Sequence, residues 1–435
     1  MKVLVLGSGA REHALVRALT QDPEVTEVLV APGNPGMVDE ATVLSSPGRI
    51  DDPEAMARLA HDNSVDLVVV GPEAPLVAGV ADAVRARGIA CFGPSQQAAA
   101  LEGSKAFAKD VMAAAGVPTA RARVCRSVEE AMEAFTEFGA PHVVKDDGLA
   151  AGKGVVVTSK LTQALAHAAQ CLEREVAPGQ APPQIVVEEF LDGPEISLFC
   201  VTDGTSVLPL APAQDYKRAL DGGRGPNTGG MGAYSPLEWA PGDLTEQVIE
   251  RIAKPTIQEM ARRGTPFAGI LYVGLALTAR GLQVVEFNAR FGDPETQVVL
   301  ARLRTPLGGL LLAAANGTLA QHPPLQWSSE HAVTVVVAAR GYPEGPRKGD
   351  PIEGITSAAD AYVLHAGTAH APGGGLVTAG GRVLSVVGTG PSLEQARRAA
   401  YEIVAKIDIP GAHHRSDIAL AAAEGRVFLP NQENS

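Results

Sequence analysis

The chain opens on an apolar run, Val3-Leu4-Val5-Leu6, that stops at Gly7-Ser8-Gly9. Helix-spaced apolar residues follow, and the alternation recurs over the first hundred residues. The pattern predicts strands over 2–6, 28–31, 66–70 and 89–92, and helices over 11–20, 53–61 and 77–87. Short β runs between helical patterns predict a doubly wound parallel sheet. Ligands of such sheets bind at the carboxyl ends of the strands. Here those ends carry Gly7-Ser8-Gly9-Ala10, Pro32-Gly33-Asn34-Pro35-Gly36 and Gly71-Pro72-Glu73-Ala74-Pro75-Leu76.

Residues 104–116 form a self-contained helix signal. Ser104 suits the N-cap, Phe107, Val111, Met112 and Ala115 make an apolar stripe, Gly116 suits the C′ position, and Pro118 blocks continuation. Lys105 falls in the first turn, where the helix dipole disfavours a cation, so a compensating anion is expected nearby. From about 120 to 212 the pattern becomes hairpin-like, with strands over 142–145, 155–158, 185–190 and 195–201. A loop over 222–232 holds six glycines in eleven residues. A helix over 244–263 leads to strands over 269–278 and 282–288. The remainder is β-rich (333–339, 361–365, 383–387) and closes on a helix over 392–406. No internal repeat is visible.

Composition narrows the function classes. Apolar residues make up 46% and charged residues 20%, a globular balance long enough for two to four domains. The 47 glycines and 32 prolines are spread along the chain, which predicts many tight loops and no low-complexity tract. A net charge of −13 makes a poor partner for a phosphate backbone, so nucleic-acid binding is not expected. Cys91, Cys125, Cys171 and Cys200 are isolated, without a Cys-x-x-Cys pair, which fits a reduced cytosol. No apolar run approaches the roughly 18 residues of a membrane span. The first apolar run meets Arg11, Glu12 and His13 too soon for a signal peptide.

Five segments carry candidate chemistry. In Gln283-Val284-Val285-Glu286-Phe287-Asn288, strand alternation puts Glu286 and Asn288 on one face and Val285 and Phe287 toward the core. Two oxygen donors with substrate phosphates suit magnesium; alone, the pattern equally suits the polar face of a half-exposed strand. In Lys145-Asp146-Asp147-Gly148-Leu149-Ala150-Ala151-Gly152-Lys153-Gly154, small residues let backbone N–H groups cradle phosphate while two lysines bracket it. Its spacing is not that of the Gly-x-x-x-x-Gly-Lys-Ser/Thr loop. Val187-Glu188-Glu189-Phe190-Leu191, with Glu195, can offer backbone groups to an adenine edge and a carboxylate to ribose; on pattern alone it reads equally as a charge-protected edge strand. Gly7-Ser8-Gly9 makes a phosphate turn at a helix N-terminus, but Glu12 stands where a dinucleotide fingerprint needs its third glycine. Arg290-Phe291-Gly292-Asp293-Pro294-Glu295-Thr296-Gln297 follows the candidate metal strand. There Arg290 can neutralise phosphate charge, and Asp293 and Glu295 can hold an ammonium.

The order of phosphate lysine, glycine loop, Glu-Glu-Phe-Leu hinge and Glu-x-Asn resembles the ATP-grasp superfamily. More narrowly, the chain resembles the phosphoribosylamine–glycine ligases, the glycinamide ribonucleotide synthetase family. The matching text is Gly71-Pro72-Glu73-Ala74-Pro75-Leu76, Leu101-Glu102-Gly103-Ser104-Lys105, the 147–154 loop, Gly225-Pro226-Asn227-Thr228-Gly229-Gly230-Met231-Gly232 and the segment from Arg290 to Gln297. His365-Ala366-Gly367-Thr368 and Arg415-Ser416-Asp417-Ile418 fit as well, so the likeness covers nearly the whole chain.

The resemblance implies an α/β N-terminal substrate-binding domain over 1–102 and an α+β ATP-grasp domain over 103–308, with a mobile part at about 120–190. A small β-rich C-terminal domain over 325–425 completes it. It implies that ATP is bound by Lys105, Lys145, Gly148, Gly152, Lys153, Gly154, Glu188, Glu189, Leu191 and Glu195, and that magnesium (Mg2+) or manganese is held by Glu286 and Asn288. Gly9, Asn34 and Glu73 are implied for the phosphoribosyl substrate. Asp215, Lys217, Arg218, Arg290, Asp293 and Glu295 are implied around the reacting groups, with Arg290, Lys217 and Asp293 as catalytic. The implied reaction is ligation of glycine to 5-phosphoribosylamine in purine biosynthesis, through glycyl phosphate, by a cytoplasmic monomer. Asp146, Ala10 and the pair His413-His414 depart from the family text; Asp146 is harmless if it faces away from Lys145. Another ATP-grasp ligase or a biotin-carboxylase-like enzyme, a nicotinamide oxidoreductase and a nucleotide sensor without catalysis are the competing readings. Tyr272, on the strand beside Glu286, is not assigned as a metal ligand.

Overall fold

Val3, Leu4, Val5 and Leu6 are all shielded from water, which requires cover on both faces of their strand. In the computed structural model, which describes residues 1–149, 154–174 and 182–430, Lys2–Gly7 is accordingly the centre of a five-stranded parallel sheet. Glu27–Pro32 and Leu67–Val70 flank it, and Thr42–Val43 and Ala90–Phe92 lie at the edges. Strand order reverses at Lys2–Gly7, so the carboxyl ends of three neighbouring strands open one crevice. The expected helix over 77–87 is two helices, Glu73–Ala78 and Val80–Ala86, broken where Gly79 takes φ +93°. Glu73 therefore starts a helix and does not belong to a loop.

Two antiparallel four-stranded sheets follow. One orders Val207–Pro209, Glu195–Asp203, Ala268–Thr278 and Gly281–Asn288; the other orders Ala122–Cys125, Ile185–Glu188, His142–Asp146 and Val155–Thr158. The second sheet is not a bare hairpin array. Helices Val128–Phe138 and Leu161–Leu172 cover it, packing Phe135, Ala164, Ala168 and Cys171 against Val144, Ile185 and Val187. The long helix expected over 244–263 is interrupted by a π-helical turn, Ile249–Ala253, between Leu244–Val248 and Lys254–Arg262. Pro255 has no N–H to donate to the preceding turn, which accounts for the wider turn. The last sheet orders Gln214–Asp215, Gly232–Ser235, His331–Ala338, Arg382–Gly390 and Ala361–His365, with helix Leu393–Val404 packed on it. Gly232–Ser235 thus pairs with a strand about a hundred residues further along, and Gln214–Asp215 joins the sheet through it. No helix among the described residues is long and apolar enough to cross a membrane.

Candidate active site

Gly281–Asn288 carries the candidate metal pair, and its register is not regular. Gly274 opposes Glu286 while Leu275 opposes Val284, so Val285 is an extra residue, a β-bulge. The expectation that Val285 and Phe287 share the core face is corrected by this bulge. Val284 and Phe287 are buried in the core, and Val285 is only half-buried. The bulge also frees two carbonyls from the ladder. Lys145 Nζ donates to Val285 O at 2.9 Å, and Thr119 Oγ1 donates to Val284 O at 2.6 Å.

Glu286 and Asn288 make no side-chain hydrogen bond among the described residues. Burial alone would raise the Glu286 pKa, yet Lys217, Lys145, Lys105 and Arg290 hold it below the usual carboxylate value. A carboxylate and an amide oxygen without partners among the described residues, the carboxylate kept ionised by nearby cations, are hard donors that fit a divalent ion completed by nucleotide phosphates. Among the described residues no three His, Cys, Asp or Glu side chains gather as a metal site, so such an ion would depend on those phosphates. Tyr272 pairs in register with Asn288, but its hydroxyl donates to Glu295 Oε1 at 2.9 Å.

Ser104 caps helix Lys105–Ala115, accepting from Phe107 N, and Gly116 closes it at φ +66°. The anion expected beside Lys105 is Asp147. Its carboxylate accepts from Ser104 Oγ and from Ala106 N, each at 3.1 Å, and so sits at the helix N-terminus. Lys105 Nζ donates to Gly148 O at 3.0 Å, which draws the start of the glycine loop to this helix. Gly154 lies where the loop rejoins a strand, its carbonyl accepting from Asp146 N. Gly152 and Lys153 lie outside the described residues. Asp146 points away from Lys145, as neighbours on a strand do, and pairs with Arg174 at 2.5 Å.

The hinge carboxylates are engaged by protein. Glu188 is buried and pairs with Lys145 at 2.9 Å and with Lys109 at 3.1 Å. Glu189 accepts from Arg121 and Arg280; burial would raise its pKa, but these bonds hold it low. Leu191 is half-buried, and Glu195 pairs with Lys217 at 2.5 Å. Burial pushes Asp215 up, with Lys217 opposing and Glu295 and Glu195 adding to the shift. Lys217 goes the other way: burial would lower it, but Glu195 and Asp215 raise it well above its ordinary value.

Arg290 is the junction with the first domain. Its guanidinium reaches Glu73 and Glu102, each at 3.3 Å. Burial works against its charge, yet Glu102, Glu73 and Glu295 keep its pKa raised. Asp293 is bound by Gln297 at 2.8 Å and by Arg382 at 3.0 Å, and Arg382 also donates to Asp293 O at 2.7 Å. Glu295 opens helix Glu295–Arg302 and is buried, accepting from Ser197 at 3.0 Å and from Tyr272. Arg218 donates to Gly225 O at 2.9 Å, which closes the glycine-rich hairpin.

Two first-domain residues are occupied. The Gly9 N–H donates to Glu12 Oε2 at 2.7 Å, so a carboxylate of the protein fills the turn at the helix N-terminus. Asn34 donates to Ser8 O and His365 O, both at 2.9 Å, and accepts from Gly36 N, pinning the first domain to the last. The pattern reading missed Lys109, Glu102, Arg382, Ser197 and Glu12 as site-forming residues. Lys109 was signalled by standing one helical turn after Lys105. Glu12 meets Gly9 locally, three residues on at the same helix start, and Glu102, Arg382 and Ser197 are brought in by tertiary packing alone.

Three phosphoribosylglycinamide synthetase models match the chain: the N domain over residues 1–102, the ATP-grasp (A) domain over 103–296 and the C domain over 332–421. The chain is 61% identical over 430 residues to the phosphoribosylamine–glycine ligase of Streptomyces coelicolor, spanning 97% of this chain and 100% of the relative. It is 56% identical over 434 residues to the enzyme of that name from Mycobacterium bovis, spanning 99% and 100%. The solved phosphoribosylamine–glycine ligase of Thermotoga maritima superposes with a TM-score of 0.82 at 36% identity, covering 96% of this chain and 100% of that one. The biotin carboxylase of Campylobacter jejuni shares the fold alone, with a TM-score of 0.74 at 14% identity over 97% and 95% of the two chains.

Proposed function

The chain belongs to the phosphoribosylglycinamide synthetase family, and from that premise we propose which of its residues carry the reaction. It is an ATP-dependent carbon–nitrogen ligase that joins glycine to 5-phosphoribosylamine, the glycinamide ribonucleotide step of purine biosynthesis. Its ATP-grasp domain takes ATP with a divalent metal.

Lys105, Lys145 and the 148–154 loop hold the ATP phosphates, with Glu188, Glu189, Leu191 and Glu195 framing the nucleoside. Backbone groups of the hinge meet the adenine, since the Glu188 and Glu189 carboxylates are engaged elsewhere. Glu286 and Asn288 hold magnesium or manganese, which when bound neutralises phosphate charge. The glycine carboxylate attacks the γ-phosphorus, releasing ADP and forming glycyl phosphate. The amine of phosphoribosylamine then attacks the acyl carbon, and phosphate leaves from the tetrahedral intermediate. Lys217 and Arg290 offset the negative charge that builds at the phosphoryl group, and Asp293 orients the loop beside it. Glu73, Gly9, Asn34, Asp215, Arg218 and Glu295 wall the substrate side. Of these, Asn34 and Gly9 shape the crevice by their position, because the Asn34 amide and the Gly9 N–H are already bonded within the protein. The enzyme works as a monomer in the cytoplasm.

The observation that carries the assignment is Glu286, a carboxylate without a hydrogen bond or ion pair among the described residues that the charges of Lys217, Lys145, Lys105 and Arg290 keep ionised against its burial. Glu286→Ala is expected to abolish ADP release while the melting temperature stays near that of the parent. Near-normal turnover would remove the metal assignment. Mass spectrometry of the product formed with glycine and phosphoribosylamine, against bicarbonate, tests the substrate pair.

A further inference from the structure

Glu188 stands between two lysines in a part of the protein that water does not reach. The residue is 3% exposed, with Oε2 2.9 Å from Lys145 Nζ and Oε1 3.1 Å from Lys109 Nζ. The two ammonium groups are tied to different elements. Lys145 also donates to the bulge carbonyl of Val285, while Lys109 donates to Thr119 Oγ1 at 2.9 Å and to Ala120 O at 3.1 Å. Thr119 in turn donates to Val284 O, so the network binds the two four-stranded sheets and the helix Lys105–Ala115 at one point.

Two ammonium groups and one carboxylate leave this buried cluster with a net charge of +1. Lys145 cannot hold Glu188 and turn fully to a triphosphate at the same time. A buried carboxylate that loses its partner is strongly unfavourable, so Lys145 would be held back if it were the single counter-ion. Lys109 removes that constraint, since it stays on Glu188 through its anchors at Thr119 and Ala120. We propose that Lys109 is a positioning residue, which neutralises Glu188 and thereby releases Lys145 to the phosphates of ATP. The inference rests on the reading of Lys145 as a phosphate ligand.

The test is binding of a non-hydrolysable ATP analogue to the full-length protein by calorimetry, with melting temperatures alongside. Lys109→Met takes the cluster from +1 to zero, and Lys109→Met with Glu188→Gln returns it to +1. Lys109→Met is expected to weaken binding about tenfold, and adding Glu188→Gln to bring it back to within about threefold of the parent. Lys109→Arg keeps the charge and is expected to bind as the parent does. Lys109→Gln, which keeps a donor but no charge, is expected to follow Lys109→Met. Parent-like binding by Lys109→Met or Lys109→Gln, or no recovery in the double variant, overturns the proposal while leaving Lys145 as a ligand. Parent-like binding by Lys145→Met overturns the reading of Lys145 itself, and the proposal with it.

Discussion

Glu12 is only 2% exposed and lies against Gly7, Gly9 and Gly71. A Cβ at Gly71 would stand 2.1 Å from Glu12 Oε1, so the glycines leave room for this carboxylate. It accepts from Gly9 N and from Arg11 Nε, the latter at 2.5 Å, and Arg11 continues to Phe291 O at 3.0 Å. Elsewhere such a turn receives a ligand's phosphate; here a side chain occupies it and links the first domain to the 290–297 segment. Glu12→Ala leaves Arg11 buried without its counter-ion and is expected to cost about 3 kcal/mol, read by urea unfolding. At Arg290 the effect should fall on rate. Arg290→Met is expected to lower kcat by on the order of a hundredfold while binding of an ATP analogue persists, as comparison of steady-state turnover with calorimetry will show. The residue types at Glu286, Asn288 and Arg290 are legible in sequence because they are consecutive on one strand and its exit. Glu12 was visible only as a missing glycine, since what it does depends on Gly71, far away in the chain.

Elements were legible where local chemistry decides them. Helix Lys105–Ala115 begins and ends within a residue of its sequence signals because Ser104 and Gly116 fix both ends. Gly116→Ala is expected to cost about 1 kcal/mol, measured as a shift in denaturant midpoint, because φ +66° strains a residue with a Cβ. Helices Val128–Phe138 and Leu161–Leu172 do carry apolar residues at helical spacing, Ala131 with Phe135 and Ala164 with Ala168 and Cys171, but they lie between strong β runs that dominate the pattern there. The bulge at Val285 could not be seen, since it is a property of pairing and not of the strand. The contact between the first and last domains adds a pH dependence. His13 Nδ1 accepts from His365 N at 2.9 Å, and burial lowers the His13 pKa to about 3 and the His365 pKa to about 4, from 6.5. A lowered histidine pKa means the unfolded chain takes the proton first. The stability these residues contribute is therefore complete above pH 6.5 and is lost as pH falls toward 3 to 4. His13→Asn, which can keep an acceptor for His365 N–H, is expected to flatten the fall in melting temperature between pH 6.5 and pH 4. An unchanged slope would show that His13 does not titrate in this way.

On the scale of the whole molecule, the site is assembled by side chains that cross between sheets. Arg382 comes from the last sheet and holds both the carboxylate and the carbonyl of Asp293, and it donates to Gly229 O in the glycine-rich segment. Arg382→Met is expected to raise KM for phosphoribosylamine about tenfold with KM for ATP little changed, since it holds Asp293, a residue proposed for the reacting groups and not for ATP. Nothing in the sequence marked Arg382, because its partners are set by how the domains pack. The five-stranded sheet has a consequence for the chain as it is made. Gly232–Ser235 pairs with His331–Ala338, and Gln214–Asp215 pairs with Gly232–Ser235, so the strand that presents Asp215 and leads to Lys217 has no complete sheet until a distant segment arrives. A growing chain would complete both four-stranded sheets while this sheet still lacked three of its five strands. A chain that stopped before residue 331 would carry the strand of Glu286 and Asn288 whole and leave one edge of Gly232–Ser235 bare, a template on which another chain could pair.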